Sequence, residues 1–106
     1  GIEKQIADIV TAAVRAREAG YDGVEVMGSE GYFLNQFLVR HTNRREDDWG
    51  GAYENRMRLP VEVVRRVREA VGPDFILIYR LLGRVSYRLE SFTIPILIST
   101  FLFHIG

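Results

Sequence analysis

Two runs of helical periodicity in this chain each stop at a glycine, and each then leads into a short β-branched strand. The order helix, strand, loop, helix, strand leaves few architectures open. Strands that alternate with helices pair in parallel, with each helix as a crossover, so the fold class is α/β. In the first run Ile2, Ile6, Ile9, Ala13 and Ala16 recur at helical spacing, and Val10 and Val14 widen the stripe. This predicts an amphipathic helix of about five turns, stopped by Gly20. In the second run, Tyr53 to Val71, the apolar face reads Met57, Val61, Val64, Val67 and Val71. Pro60 lies inside it, so that helix either bends there or starts there, and Gly72-Pro73 ends it. The two strands are expected at Asp22 to Met27 and Asp74 to Leu81, both buried. Glu25, between Val24 and Val26, is either edge-exposed or paired.

Between the first strand and the second helix run the turn Gly28-Ser29-Glu30-Gly31, an apolar helical stretch from Tyr32 to Val39, and a charged loop from His41 to Gly51. Parallel strands bring their carboxyl ends to one edge, where α/β proteins place chemistry. Tyr32 follows the end of the first strand and Arg80 closes the second, so spacing alone converges them on a common site. The glycine turn lacks a phosphate-binding fingerprint and reads as backbone shaping.

Composition removes several classes. The 106 residues carry 14 Lys+Arg against 14 Asp+Glu, for zero formal net charge. Such a balance gives no long-range attraction to nucleic acid or to an anionic membrane. The absence of cysteine excludes, within this chain, a disulfide framework, a thiol nucleophile and an iron–sulfur cluster. His41 and His104 have no ligand spacing around them, so no metal site is expected. The apolar run from Phe92 to Ile105 contains Pro95 and is shorter than the roughly 18 to 20 residues of a spanning helix. With no secretory leader in view, the expected location is cytoplasmic.

The blocks GYDGVEVMGSEGYFLNQFL, TNRREDDWGG, ENRMR and VVRRVREAVGPDFILIYRL stand in one order over residues 1–81. Together they resemble the flavin-dependent Old Yellow Enzyme group of NADH:flavin oxidoreductases. The resemblance is nearest to its bacterial NADPH-dependent 2,4-dienoyl-CoA reductase branch. It implies an incomplete (β/α)8 TIM-barrel fragment of about two strand–helix units, because a whole barrel takes roughly 250 residues. It also implies FMN as cofactor, with NADPH as reductant. FAD and an iron–sulfur cluster serve the same branch through segments this chain lacks. By resemblance Tyr32 is the proton donor, Glu30 a second catalytic candidate that hydrogen-bonds it or is structural, and Arg80 the flavin contact. His41, Thr42, Asn43 and Arg44 align with the acyl-CoA loop, where the branch usually has arginine at the position of His41. Met27 and Glu30 stand where generic enone reductases carry their carbonyl ligands, which favours the dienoyl-CoA branch.

Those residue types suit the chemistry. A tyrosine hydroxyl holds its proton at neutral pH and yields it to a strongly basic enolate. A permanently cationic, planar guanidinium suits the negative charge on a reduced flavin. Residues 82–106 depart from the family abruptly after Tyr79-Arg80-Leu81 and read as an apolar tail, expected from a shifted reading frame. The fragment alone is expected to be inactive, with the remaining barrel segments or another chain as partner. Two alternatives stand beside this: another Old Yellow Enzyme-like NAD(P)H:flavin oxidoreductase, or a non-catalytic remnant that needs a partner chain.

Overall fold

The computed structural model describes residues 1–81; the expected apolar tail, 82–106, lies outside the described residues. Helix α1 spans Ile2–Glu18, strand β1 Gly23–Met27, helix α2 Phe33–Leu38, helix α3 Tyr53–Arg56, helix α4 Arg58–Val71 and strand β2 Ile76–Arg80. The strands pair in parallel, from Gly23 opposite Ile76 to Met27 opposite Arg80. The expected αβαβ alternation is therefore present; α2 falls within the expected helical stretch from Tyr32 to Val39, and only the short α3 is added in the connection.

α1 ends where the sequence places its stop. Ala19 is the C-cap, and Gly20 takes a left-handed φ of 92°. Its apolar stripe packs as expected, with Ile6 and Ala13 buried and Ile2, Ile9, Val10 and Val14 partly buried against the core. The second helical run is broken rather than bent. α3 closes at Arg56, Met57 caps α4, and Pro60 sits in the first turn of α4, where its missing N–H has no helical acceptor to lose.

The buried face of α4 differs from the predicted one. Leu59, Pro60, Val63, Val67 and Val71 are buried, while Val61, expected in the stripe, is 51% exposed. One residue along a helix is a rotation of about 100°, and Val61 falls outside the 60–63–67–71 row. Arg68 then ties the helix end to the next strand, its Nη1 donating to the carbonyls of Gly72 and Phe75 at 2.7 Å each. Arg17 donates to the Val71 carbonyl at 3.0 Å, fastening α1 to the same corner.

Both strands were expected to be buried; the structure buries one face only. Val26, Leu77 and Tyr79 join the core under the helices, whereas Met27 is 38% and Ile76 44% exposed on the other side. The reason is the period of two along a strand. Gly23, Glu25 and Met27 share a face with Ile76, Ile78 and Arg80, and no described element covers it.

The outer surface of α4 carries an ion-pair network. Glu62 lies 2.7 Å from Arg66 and is also paired with Arg65; Arg65 reaches Glu69 at 2.6 Å and Arg66 reaches Glu3 of α1 at 2.7 Å. Hydrogen bonds from Arg65, then Arg66, pull the Glu62 carboxyl from 4.5 to about 2. A depressed folded-state value stabilises the protein above the unfolded value and is lost as pH falls through the folded one. The stability difference between the native chain and Glu62→Gln is therefore expected to shrink between about pH 4.5 and 2. Urea unfolding at pH 7, 4.5 and 2.5 reads it; a difference independent of pH would disprove the linkage.

Candidate functional site at the carboxyl edge of the sheet

The site is built at the carboxyl ends of β1 and β2. Beyond the last paired rung, the Gly28 N–H still donates to the Arg80 carbonyl at 2.9 Å, so the turn begins locked to β2. Gly28 is required there by a close approach. A Cβ at that position would lie 2.1 Å from the Tyr79 ring. The chain then reverses through two left-handed residues, Glu30 with φ 62° and Gly31 with φ 77°. For glutamate that conformation costs about 1–3 kcal/mol and persists only where surroundings impose it. Here they do. Asn35 Oδ1 accepts from the Gly31 N–H at 3.0 Å, and Gln36 Nε2 donates to the Gly31 carbonyl at 2.7 Å. The polar side of α2 thus fixes the turn. Ser29, fully buried beneath it, donates to the Met27 sulfur at 3.4 Å.

This shape brings two of the predicted residues together. Arg80 Nη1 lies 3.8 Å from a Glu30 carboxylate oxygen. Tyr32, at the N-cap of α2 just past the turn, is 59% exposed. No direct polar contact joins it to Arg80 or Glu30 among the described residues. Sequence reasoning missed the tighter partner of Arg80. Glu25 accepts from Arg80 Nε at 2.8 Å and from Nη2 at 3.2 Å, a forked carboxylate–guanidinium pair. Glu25, with a smaller contribution from Glu30, raises the guanidinium pKa and holds it positive. The signal was present in the alternation of the strands, since Glu25 and Arg80 share a face once the parallel register is known.

Tyr79 is the other tyrosine near the edge. It belongs to the helix side, and its hydroxyl has no hydrogen-bond partner among the described residues. Burial pushes it up to about 12, which keeps it protonated.

The loop residues divide. Asn43, only 7% exposed, donates to the carbonyls of Phe37 at 2.6 Å and Trp49 at 2.8 Å, and accepts from the Arg45 N–H at 3.0 Å. Thr42 donates to the Gln36 carbonyl at 2.7 Å, closing the end of α2. These two side chains hold the loop's own backbone. His41 and Arg44 are exposed, with Arg44 Nε donating to the His41 carbonyl at 3.1 Å. A cleft of about 160 Å³ lies among Gln36, Phe37, Thr42, Asn43, Arg44 and Arg45. Pockets that enclose whole ligands run from roughly 300 Å³ upward, so this one suits an end group at most. Asn43→Ala removes three part-buried hydrogen bonds, worth roughly 1 kcal/mol each. Amide exchange across residues 42–50 is therefore expected to speed up at least about tenfold, since ~1.4 kcal/mol is a factor of ten. Exchange in α1 should not change. Equal protection in both proteins would contradict the clamp.

Among the described residues there is no group of three or more His, Asp or Glu side chains placed to hold a metal ion, and no helix long and apolar enough to cross a membrane.

The sequence profile of the NADH:flavin oxidoreductase / NADH oxidase family matches residues 1–90. The chain is 49% identical over 79 residues to the NADH oxidase of Thermoanaerobacter brockii, covering 74% of this chain and 12% of that protein. It is 49% identical over 85 residues to a metal reductase of Desulforamulus reducens, covering 76% and 13%. Among solved structures, a 2-naphthoyl-CoA reductase in complex with 2-naphthoyl-CoA superposes with a TM-score of 0.74 at 44% identity, over 76% of this chain and 12% of that one. Morphinone reductase in complex with tetrahydroNAD superposes with a TM-score of 0.71 at 46% identity, over 76% and 22%. This two-stranded parallel α/β unit superposes on part of those reductases, as a partial barrel would, and the chain belongs to the NADH:flavin oxidoreductase / NADH oxidase family. It spans about an eighth of the length of the NADH oxidase and the metal reductase, 12% and 13%.

Proposed function

We propose that this chain forms the Arg80 edge of an FMN site in an oxidoreductase that reduces a conjugated C=C bond of 2,4-dienoyl-CoA with NADPH. The observation that carries the flavin part is the placement of Arg80. Its guanidinium lies on the uncovered face, at the carboxyl edge, with Nη1 beyond hydrogen-bond distance of Glu30 at 3.8 Å. Guanidinium donors left over in this way fit the N1 and carbonyl edge of an isoalloxazine ring. When bound, FMN would supply the hydride.

The chain's own groups do the rest. Arg80 keeps a fixed positive charge where negative charge collects. Tyr32, an exposed residue at the start of α2, delivers the proton of its hydroxyl to the substrate carbon beside the developing enolate. Glu30, held in its left-handed turn two residues before Tyr32 and 3.8 Å from Arg80, is the group we assign to orient that hydroxyl. Arg44 and His41 are the loop groups free to meet a CoA phosphate, while Thr42 and Asn43 hold the loop in shape. A thioester substrate is supported by the relative solved with 2-naphthoyl-CoA. Met27 and Glu30 in the positions of the usual enone ligands support it as well.

A second reading, an NAD(P)H:flavin oxidoreductase acting on another carbonyl substrate, is favoured by the equal likeness to morphinone reductase. NADPH oxidation by the complete barrel enzyme separates the two. The first reading predicts kcat/KM for a dienoyl-CoA at least about tenfold above that for a simple cyclic enone, a difference of ~1.4 kcal/mol in the barrier. The reverse preference would favour the second. The 106-residue chain by itself is expected to show no turnover.

A further inference from the structure

Glu25 has no part in the reaction just described, yet it makes the tightest contact to Arg80. It stands opposite Ile78, one same-face step from the rung that joins Met27 to Arg80. Both its oxygens engage the guanidinium, at 2.8 and 3.2 Å. A forked pair of this kind fixes the plane of the guanidinium as well as its position. Glu30 approaches the remaining terminal nitrogen at 3.8 Å. One cation is thus flanked by two carboxylates, and all three side chains are only partly exposed, at 34% for Arg80 and Glu25 and 44% for Glu30.

An arginine without such neighbours would present a full positive charge to a reduced, anionic flavin. Here the charge arrives already countered. The geometry points to Glu25 as a positioning residue that orients Arg80 and weakens its stabilisation of the reduced flavin. A flavin so held has a lower potential and gives up hydride more readily. The inference rests on the reading that Arg80 faces FMN, and it adds a control on reducing power set from a neighbouring strand.

The test measures the two-electron midpoint potential of FMN in a complete barrel. Residues 1–81 are grafted in place of the matching segment of the Thermoanaerobacter brockii NADH oxidase. Glu25→Gln keeps the shape and removes the charge. It is expected to raise the potential by about 30 mV, equivalent to a roughly tenfold gain in relative affinity for the reduced form. Arg80→Gln is expected to lower it. An unchanged potential in Glu25→Gln beside a lowered one in Arg80→Gln overturns the role of Glu25 alone. No shift in either variant, or a graft that holds no flavin, overturns the reading of Arg80 and the inference with it.

A second readout uses the full 106-residue chain without cofactor. The Arg80 Nε–H resonance is expected to exchange slowly with water, and at least tenfold faster in Glu25→Gln. Equal exchange rates overturn the pairing itself.

Discussion

Leu77→Ala is expected to lower the unfolding free energy of the chain by about 2–5 kcal/mol. Leu77 is 1% exposed in β2, and α1, α4 and β1 all contribute to the core it joins. A two-stranded sheet covered on one face has little capacity to close the void. The cost combines the lost transfer of the side chain with the cavity left behind. Against an ordinary total of roughly 5–15 kcal/mol, with small domains at the low end, this removes a large share of the fold. Urea titration of the 106-residue chain followed by circular dichroism measures it. A loss under about 1 kcal/mol would mean that β2 does not pack as described.

Arg80→Ala is expected to have the largest functional effect. It removes the cation and leaves Glu25 and Glu30 facing the same space without a partner. Hydrogen bonds to charged groups contribute about 1.5–3 kcal/mol each, so even one lost contact weakens flavin binding roughly tenfold to a hundredfold. The two unopposed carboxylates add repulsion toward a reduced, anionic ring. Isothermal titration of the complete barrel with FMN should show that fall. An affinity within about twofold of the native value would move the flavin contact elsewhere.

The element order was legible because period-3.6 and period-2 patterns alternate cleanly and glycines punctuate them. Gly20 and Gly72 mark the helix ends, both with positive φ. What the pattern could not show was which rungs of the two strands meet. Without the register of Met27 opposite Arg80, Glu25 read as a lone acid on a strand, and its fork with Arg80 stayed hidden. Val61 falls outside the buried row because the valines of α4 offer two overlapping helical rows, and the one through Pro60, Val63, Val67 and Val71 faces the core. Asn43 sat in a charged loop that reads as solvated, and its burial follows from the carbonyls it clamps. The left-handed Glu30 had no signal of its own. That conformation comes from Asn35 and Gln36 gripping Gly31 one residue later.

The central claim is that the shared carboxyl edge of β1 and β2 is an FMN site organised by Arg80. Flavin content settles it most directly. The graft of residues 1–81 into the Thermoanaerobacter brockii NADH oxidase, purified and desalted, is read by its flavin absorbance, with and without Arg80→Ala. The account predicts near-stoichiometric FMN in the native graft and a substantial loss in Arg80→Ala. Equal FMN in both proteins would contradict it.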